Sequence, residues 1–147
     1  MKKYKIGYTT GVFDLFHIGH LNILKHSKEY CDYLIVGVST DEVVEQYKGR
    51  KPVIPFEERL EIVNSIKYVD LAVPQENMNK LQAFQKYNFD VMFHGDDWKN
   101  NEMYIEYEKQ FKENNVDLIY FPYTKCTSST LLTKVIKKIG ETEKWNA

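Results

Sequence analysis

The sequence predicts an α/β fold: a single Rossmann-like domain built on a five-stranded parallel sheet with helices on both faces. Three observations predict it. Short apolar runs alternate with amphipathic segments along the whole chain. The run Tyr33 to Val38 is apolar without a polar break, as a strand buried on both faces of a parallel sheet must be. The 147 residues suit one domain and leave little room for a second.

Taken in order, Tyr4 to Thr10 reads as the first strand and Leu21 to Tyr30 as the first helix. Tyr33 to Val38 is the second strand, after which Ser39, Thr40 and Asp41 offer an N-cap to a short helix. Tyr47 to Pro55, with Gly49 and two prolines, reads as a loop. Phe56 to Lys67 is helix and Val69 to Val73 strand; Lys80 to Tyr87 is helix and Asp90 to His94 strand. Tyr104 to Glu113 is helix, Asp117 to Phe121 the last strand, and Ser128 to Ile139 the closing helix, with Gly140 suited to its end. The domain is expected to span 1–140, followed by a flexible tail, 141–147. There is no internal repeat and no low-complexity linker.

Composition narrows the functional classes. A formal net charge of -1 gives no basic field for nucleic acid. The polar N-terminus, with Lys2, Lys3 and Lys5, predicts neither a signal peptide nor a membrane span. Two cysteines, Cys31 and Cys126, without motif spacing predict neither a disulfide scaffold nor a structural zinc site, and point to a reducing cytoplasm. The many tyrosines lack the basic aromatic motif of a base-stacking platform.

In a parallel sheet of this kind ligands sit beyond the carboxyl ends of the strands. After the first strand the chain reads Thr10-Gly11-Val12-Phe13-Asp14-Leu15-Phe16-His17-Ile18-Gly19-His20. Gly11 allows close backbone approach to a ligand. His17 and His20, three apart, share one face of a helical turn, and Gly19 removes a side chain between them. Such a pair can be a satisfied surface pair, half of a metal site, or a pair of phosphate donors. Its place at a strand end beside a glycine turn, at a helix start whose free N–H groups suit an anion, favours phosphate chemistry. No third metal ligand has sensible spacing, and Cys31 is expected to face the core.

With His17-Ile18-Gly19-His20 and Gly11-Val12-Phe13-Asp14, the chain resembles the HIGH-type nucleotidyltransferase superfamily, and within it the cytidylyltransferases, most closely the bacterial glycerol-3-phosphate type. The resemblance runs from about Lys5 to Ile139. It includes Ser39-Thr40-Asp41-Glu42, Arg59, Tyr68-Val69-Asp70, Gly95-Asp96-Asp97-Trp98 and the stretch Thr124 to Thr130. It implies transfer of CMP from CTP to a phosphorylated alcohol, with Mg²⁺ accompanying the CTP, no protein metal site, and a homodimer. The CDP-alcohol product would serve wall, capsule or lipid polymers.

By the same resemblance His17, His20 and Lys48 are the catalytic candidates. Thr10, Gly11, Val12, Phe13, Gly19, Arg50, Asp97, Tyr123, Thr127, Ser128 and Ser129 join the histidines in holding the nucleotide. Lys48, Arg59, Lys80 and Trp98 are placed on the substrate. From the residues alone, Lys48, Arg50 and Lys51 also read as a solvated basic turn, Arg59 as an exposed helical arginine, and Ser128 as a simple N-cap. Asp70 is expected to be structural and His94 a packing residue. The chain departs from the resemblance where Tyr123 replaces an arginine, Lys125 an acid, Cys126 a glycine and Thr127 an isoleucine. Other acceptors, an ATP-using adenylyltransferase, and a nucleotide-sensing module without catalysis remain as rival readings.

Overall fold

The computed structural model describes residues 2–96, 100–122 and 128–142. Its elements run β1 (Tyr4–Gly11), α1 (Ile18–Tyr30), β2 (Cys31–Ser39), α2 (Asp41–Lys48), α3 (Phe56–Asn64), β3 (Leu71–Gln75), α4 (Lys80–Tyr87), β4 (Val91–Gly95), α5 (Glu102–Glu113), β5 (Asp117–Phe121) and α6 (Ser129–Thr142). The strands form one sheet in the order β3-β2-β1-β4-β5, and every neighbouring pair is parallel. The predicted single-domain, doubly covered parallel sheet is therefore what forms. Leu24 of α1 and Val63 of α3 pack with Leu34, Val36, Val38 and Phe93 against one face. Tyr104 and Phe111 of α5, with Phe84 of α4 beside them, pack with Tyr8, Ile35 and Met92 against the other. The strand order reverses at β1, between β2 and β4, and there the loops part to leave a crevice.

Several boundaries shift for identifiable reasons. Helix α1 begins at Ile18, three residues before the expected start, because the His17 ring caps it. Tyr47 and Lys48 belong to the last turn of α2 and not to the loop; the chain leaves that helix only at Gly49, whose φ of 74° suits a residue without a side chain. Helix α3 stops at Asn64, where Ser65 closes the last turn against the carbonyls of Glu61 and Ile62. Strand β3 comes two residues late and includes Pro74, tolerated because β3 is an edge strand. Helix α6 runs on to Thr142, so Gly140 lies inside it and does not end it.

Cys31 is fully buried, and burial pushes its thiol up to about 11, as suits a packing residue. Asp70 accepts from the Leu34 N–H at 2.7 Å and from Lys28 Nζ at 2.5 Å, tying the start of β3 to β2. No helix among the described residues is long and apolar enough to cross a membrane.

Candidate active site

The crevice at the sheet's switch point is a cleft of about 340 Å³. The turn between β1 and α1 forms its centre. Phe13 and Leu15 there have φ of 56° and 49°, the left-handed region that bulky residues rarely enter. Burial of Phe13 and of the Asp14 carboxylate holds them there. The Asp14 carboxylate accepts from the N–H groups of Val53 and Ile54, at 2.8 and 2.9 Å. That clasp draws the basic loop after α2 across the cleft.

The two histidines are fixed by backbone. Gly19 N–H donates to His17 Nδ1 at 3.0 Å, and His17 N–H donates to His20 Nδ1 at 3.2 Å. Together they form a capping box made of two imidazoles. Each Nδ1 is thereby an acceptor, so each neutral ring carries its proton on Nε2. The rings stack with centroids 4.0 Å apart, and both line the cleft. Desolvation holds His17 below the usual imidazole value; His20 falls to about 3, through desolvation first and then the nearby His17 and Lys48. At neutral pH both are neutral hydrogen-bond donors.

Four cations also line the cleft, Lys48, Arg50, Lys51 and Lys80, against the carboxylate of Asp14. Lys48 is held below its ordinary value by burial and by Arg50, partly offset by Asp14. Lys80 caps nothing and faces inward. It is 2% exposed, its Nζ donates to Thr10 Oγ1 at 2.8 Å, and desolvation lowers it to about 7. Among the described residues it has no carboxylate partner. His94, expected to be a packing residue, also lines the cleft, and burial lowers it to about 4. Its Nδ1 accepts from Gly95 N–H, and its ring meets Tyr104 edge-on. On the far side Ser128, Ser129 and Thr130 bring hydroxyls to the start of α6, and Ser129 Oγ donates to the Asp14 carbonyl.

Of the residues singled out in the sequence, Thr10, Gly11, Val12, Phe13, His17, Gly19, His20, Lys48, Arg50, Lys80, Ser128 and Ser129 converge on this cleft. Asp97, Trp98, Tyr123 and Thr127 lie outside the described residues. The substrate contact expected of Arg59 is corrected by the geometry. Its side chain is fully buried; Nε donates to the Ile54 carbonyl at 2.8 Å, Nη1 to the Val12 and Ser39 carbonyls, and Nη2 to Asp41 at 2.7 Å. Arg59 braces the turn, the basic loop and the end of β2 against one another. The sequence reading missed the clasp of Asp14. Its signal was an acid placed inside a motif otherwise suited to anions, which argues for a partner other than phosphate.

What the fold and this site define together is a nucleotidyltransferase. A family model described as cytidylyltransferase-like matches residues 8–137, and the chain belongs to that family. A glycerol-3-phosphate cytidylyltransferase of Bacillus subtilis is 36% identical over 129 residues, covering 87% of this chain and 94% of the relative. An FAD synthase of Thermococcus sibiricus is 35% identical over 143 residues, covering 96% and 97%. A solved structure described as a lipopolysaccharide core biosynthesis protein from Thermoplasma volcanium superposes with a TM-score of 0.69 at 26% identity, over 84% of this chain and 99% of that one.

Proposed function

We propose that this chain transfers CMP from CTP to a phosphorylated alcohol, with glycerol 3-phosphate as the favoured acceptor. The observation that carries the reading is the pair of neutral imidazoles, held with Nε2–H as donor at the start of α1 and faced by Lys48 and Arg50. An oxygen of the acceptor's phosphate attacks the α-phosphorus of CTP in line, forming one phosphorus–oxygen bond. The bond from that phosphorus to the bridging β-oxygen breaks, and pyrophosphate leaves with the electron pair. The acceptor is already an anion, so no general base is needed. His17 and His20 donate to the transferring and leaving phosphates, whose charge grows in the transition state. Lys48 and Arg50 lessen the repulsion between two polyanions. The backbone N–H groups and hydroxyls at the start of α6 suit the triphosphate tail.

Mg²⁺ fits this site as a companion of the nucleotide. The described residues hold no group of three or more potential metal ligands, and the Asp14 carboxylate is committed to two backbone N–H groups, so phosphate oxygens would be its ligands. When bound, it neutralises phosphate charge. A homodimer and a CDP-alcohol destined for wall, capsule or lipid polymers complete the proposal.

Adenylyl transfer from ATP is the second reading, favoured by the FAD synthase relative that matches nearly the whole chain. Pyrophosphate release measured for CTP and ATP, each with glycerol 3-phosphate, glycerol 2-phosphate, phosphocholine, phosphoethanolamine and FMN, separates them. Release with CTP and a small alcohol phosphate is the expected result. Release only with ATP and FMN overturns it, and no release with any pair returns the chain to nucleotide sensing.

A further inference from the structure

Strand order divides the cleft into two arms on either side of the histidine turn. One arm is walled by the start of α6 and its hydroxyls. The other lies over the carboxyl ends of β2 and β3, and its walls include Ser39, Gln75, Met78 and Lys80. An in-line displacement needs its two partners on opposite sides of the phosphorus, so each arm takes one. The hydroxyls and backbone N–H groups at the start of α6 suit a polyphosphate.

In the second arm Ser39 and Gln75 are direct register partners at the ends of β2 and β3. Ser39 Oγ donates to Gln75 Oε1 at 2.9 Å. Both residues are rigidly seated. Arg59 donates to the Ser39 carbonyl at 2.7 Å, and Thr40 N–H donates to the Gln75 carbonyl at 3.2 Å. Ser39 is 2% exposed and Gln75 7%, yet both open onto the cleft. With Oε1 engaged by Ser39, the amide turns its Nε2 the other way. No described residue accepts from that nitrogen, and it is not among the described polar atoms sealed from solvent without a partner. A buried, immobilised amide with two unspent donors, on the wall that also carries the Lys80 amine with no described carboxylate partner, suits a ligand with a hydroxyl beside an anionic phosphate.

We propose that Gln75, oriented by Ser39, is the residue that recognises a free hydroxyl of the acceptor alcohol, and so selects a polyol phosphate over a phosphate whose carbon chain bears no hydroxyl. The inference rests on the reading of the chain as a transferase with a phosphorylated acceptor. A site built to hydrogen-bond a hydroxyl discriminates against the analogue lacking it, because its own buried donors then go unpaired.

Steady-state kinetics with CTP and either glycerol 3-phosphate or n-propyl phosphate tests it. The wild type should favour glycerol 3-phosphate by at least about tenfold in kcat/KM. Gln75→Leu should collapse that ratio to within about twofold, chiefly through the KM for glycerol 3-phosphate, with the KM for CTP little changed. Ser39→Ala should lose part of the preference, since the amide is then free to rotate. Should Gln75→Leu fail to fold, Gln75→Met keeps the length of the side chain, removes both amide donors, and should lose the preference as well. A preference that survives in a folded Gln75 variant overturns the inference and leaves the proposed function standing. A raised KM for CTP with unchanged acceptor kinetics also overturns it, by placing the amide on the nucleotide. A wild type that turns over neither acceptor overturns both.

Discussion

The histidine turn and the wall around Arg59 and Lys80 are two ways of building one site. At the two histidines, each positioning bond spans at most three residues: Gly19 to His17 and His17 to His20. In the wall, Arg59 reaches Val12 across 47 positions and Lys80 reaches Thr10 across 70. The histidine pair is thus set by local chemistry, and the wall exists only once the sheet has closed. The difference teaches where damage should fall: changes in the turn should cost rate, and changes in the wall should cost stability.

The largest effect expected is in the wall. Arg59→Met leaves three carbonyls and the Asp41 carboxylate without their buried donor, and should lower the unfolding free energy by about 3–5 kcal/mol in a urea titration. A loss below about 1 kcal/mol would erase the contrast between the two regions.

Next comes the turn. His17→Ala should also lose some stability, because His17 caps α1, at roughly 0.5–2 kcal/mol. His17→Asn keeps a capping oxygen and removes the imidazole donor, so it isolates rate from folding. Turnover should fall about 10²- to 10³-fold while the Tm stays near the wild type. Retention of more than roughly a tenth of the activity would remove His17 from the chemistry.

Acid sharpens the comparison further. His20 and His94 are neutral in the folded protein down to about 3 and 4, whereas in the unfolded chain they bind a proton near their ordinary value of 6.5. Between those limits the unfolded state holds more protons, so stability falls as pH falls from 6.5 toward 4, by up to about 1.4 kcal/mol per pH unit for each ring. Replacing His94 by Phe should flatten part of that slope. Lys80 acts in another window with the same sign. Folded, it releases its proton near 7; unfolded, near 10.5. Its desolvation cost is therefore full below 7 and is relieved as pH rises toward 10.5, and Lys80→Met should abolish that rise while weakening acceptor binding. The smallest effect belongs to the surface. Removing the ammonium by Lys28→Met should cost no more than about 1 kcal/mol, since the Lys28–Asp70 pair is partly exposed.

The same contrast explains what could be read from residues alone. Periodicity and strand composition carry through the sheet, and β5 and α4 fall where the sequence places them. His17 and His20 are legible because their spacing is itself the geometry. Arg59 is not, since an arginine between two glutamates and an apolar stripe looks like a solvent-facing residue until four partners from separate segments of the chain close around it. Gly140 is misleading for a related reason: glycine commonly ends helices, yet α6 runs two residues past it. Gln75 offers no local signal at all, because its role depends on the residue beside it in the neighbouring strand.

The Asp14 clasp has a further consequence. It grips the basic loop by the N–H groups of Val53 and Ile54, which every residue except proline can offer. Placement of the loop is thus uncoupled from its cargo. Arg50 and Lys51 can be exchanged, one cation for another or for an uncharged residue, while the ribbon that presents them stays docked. A descendant of this chain can retune which anions it prefers by editing a few exposed side chains, without having to reinvent the hinge on which they hang.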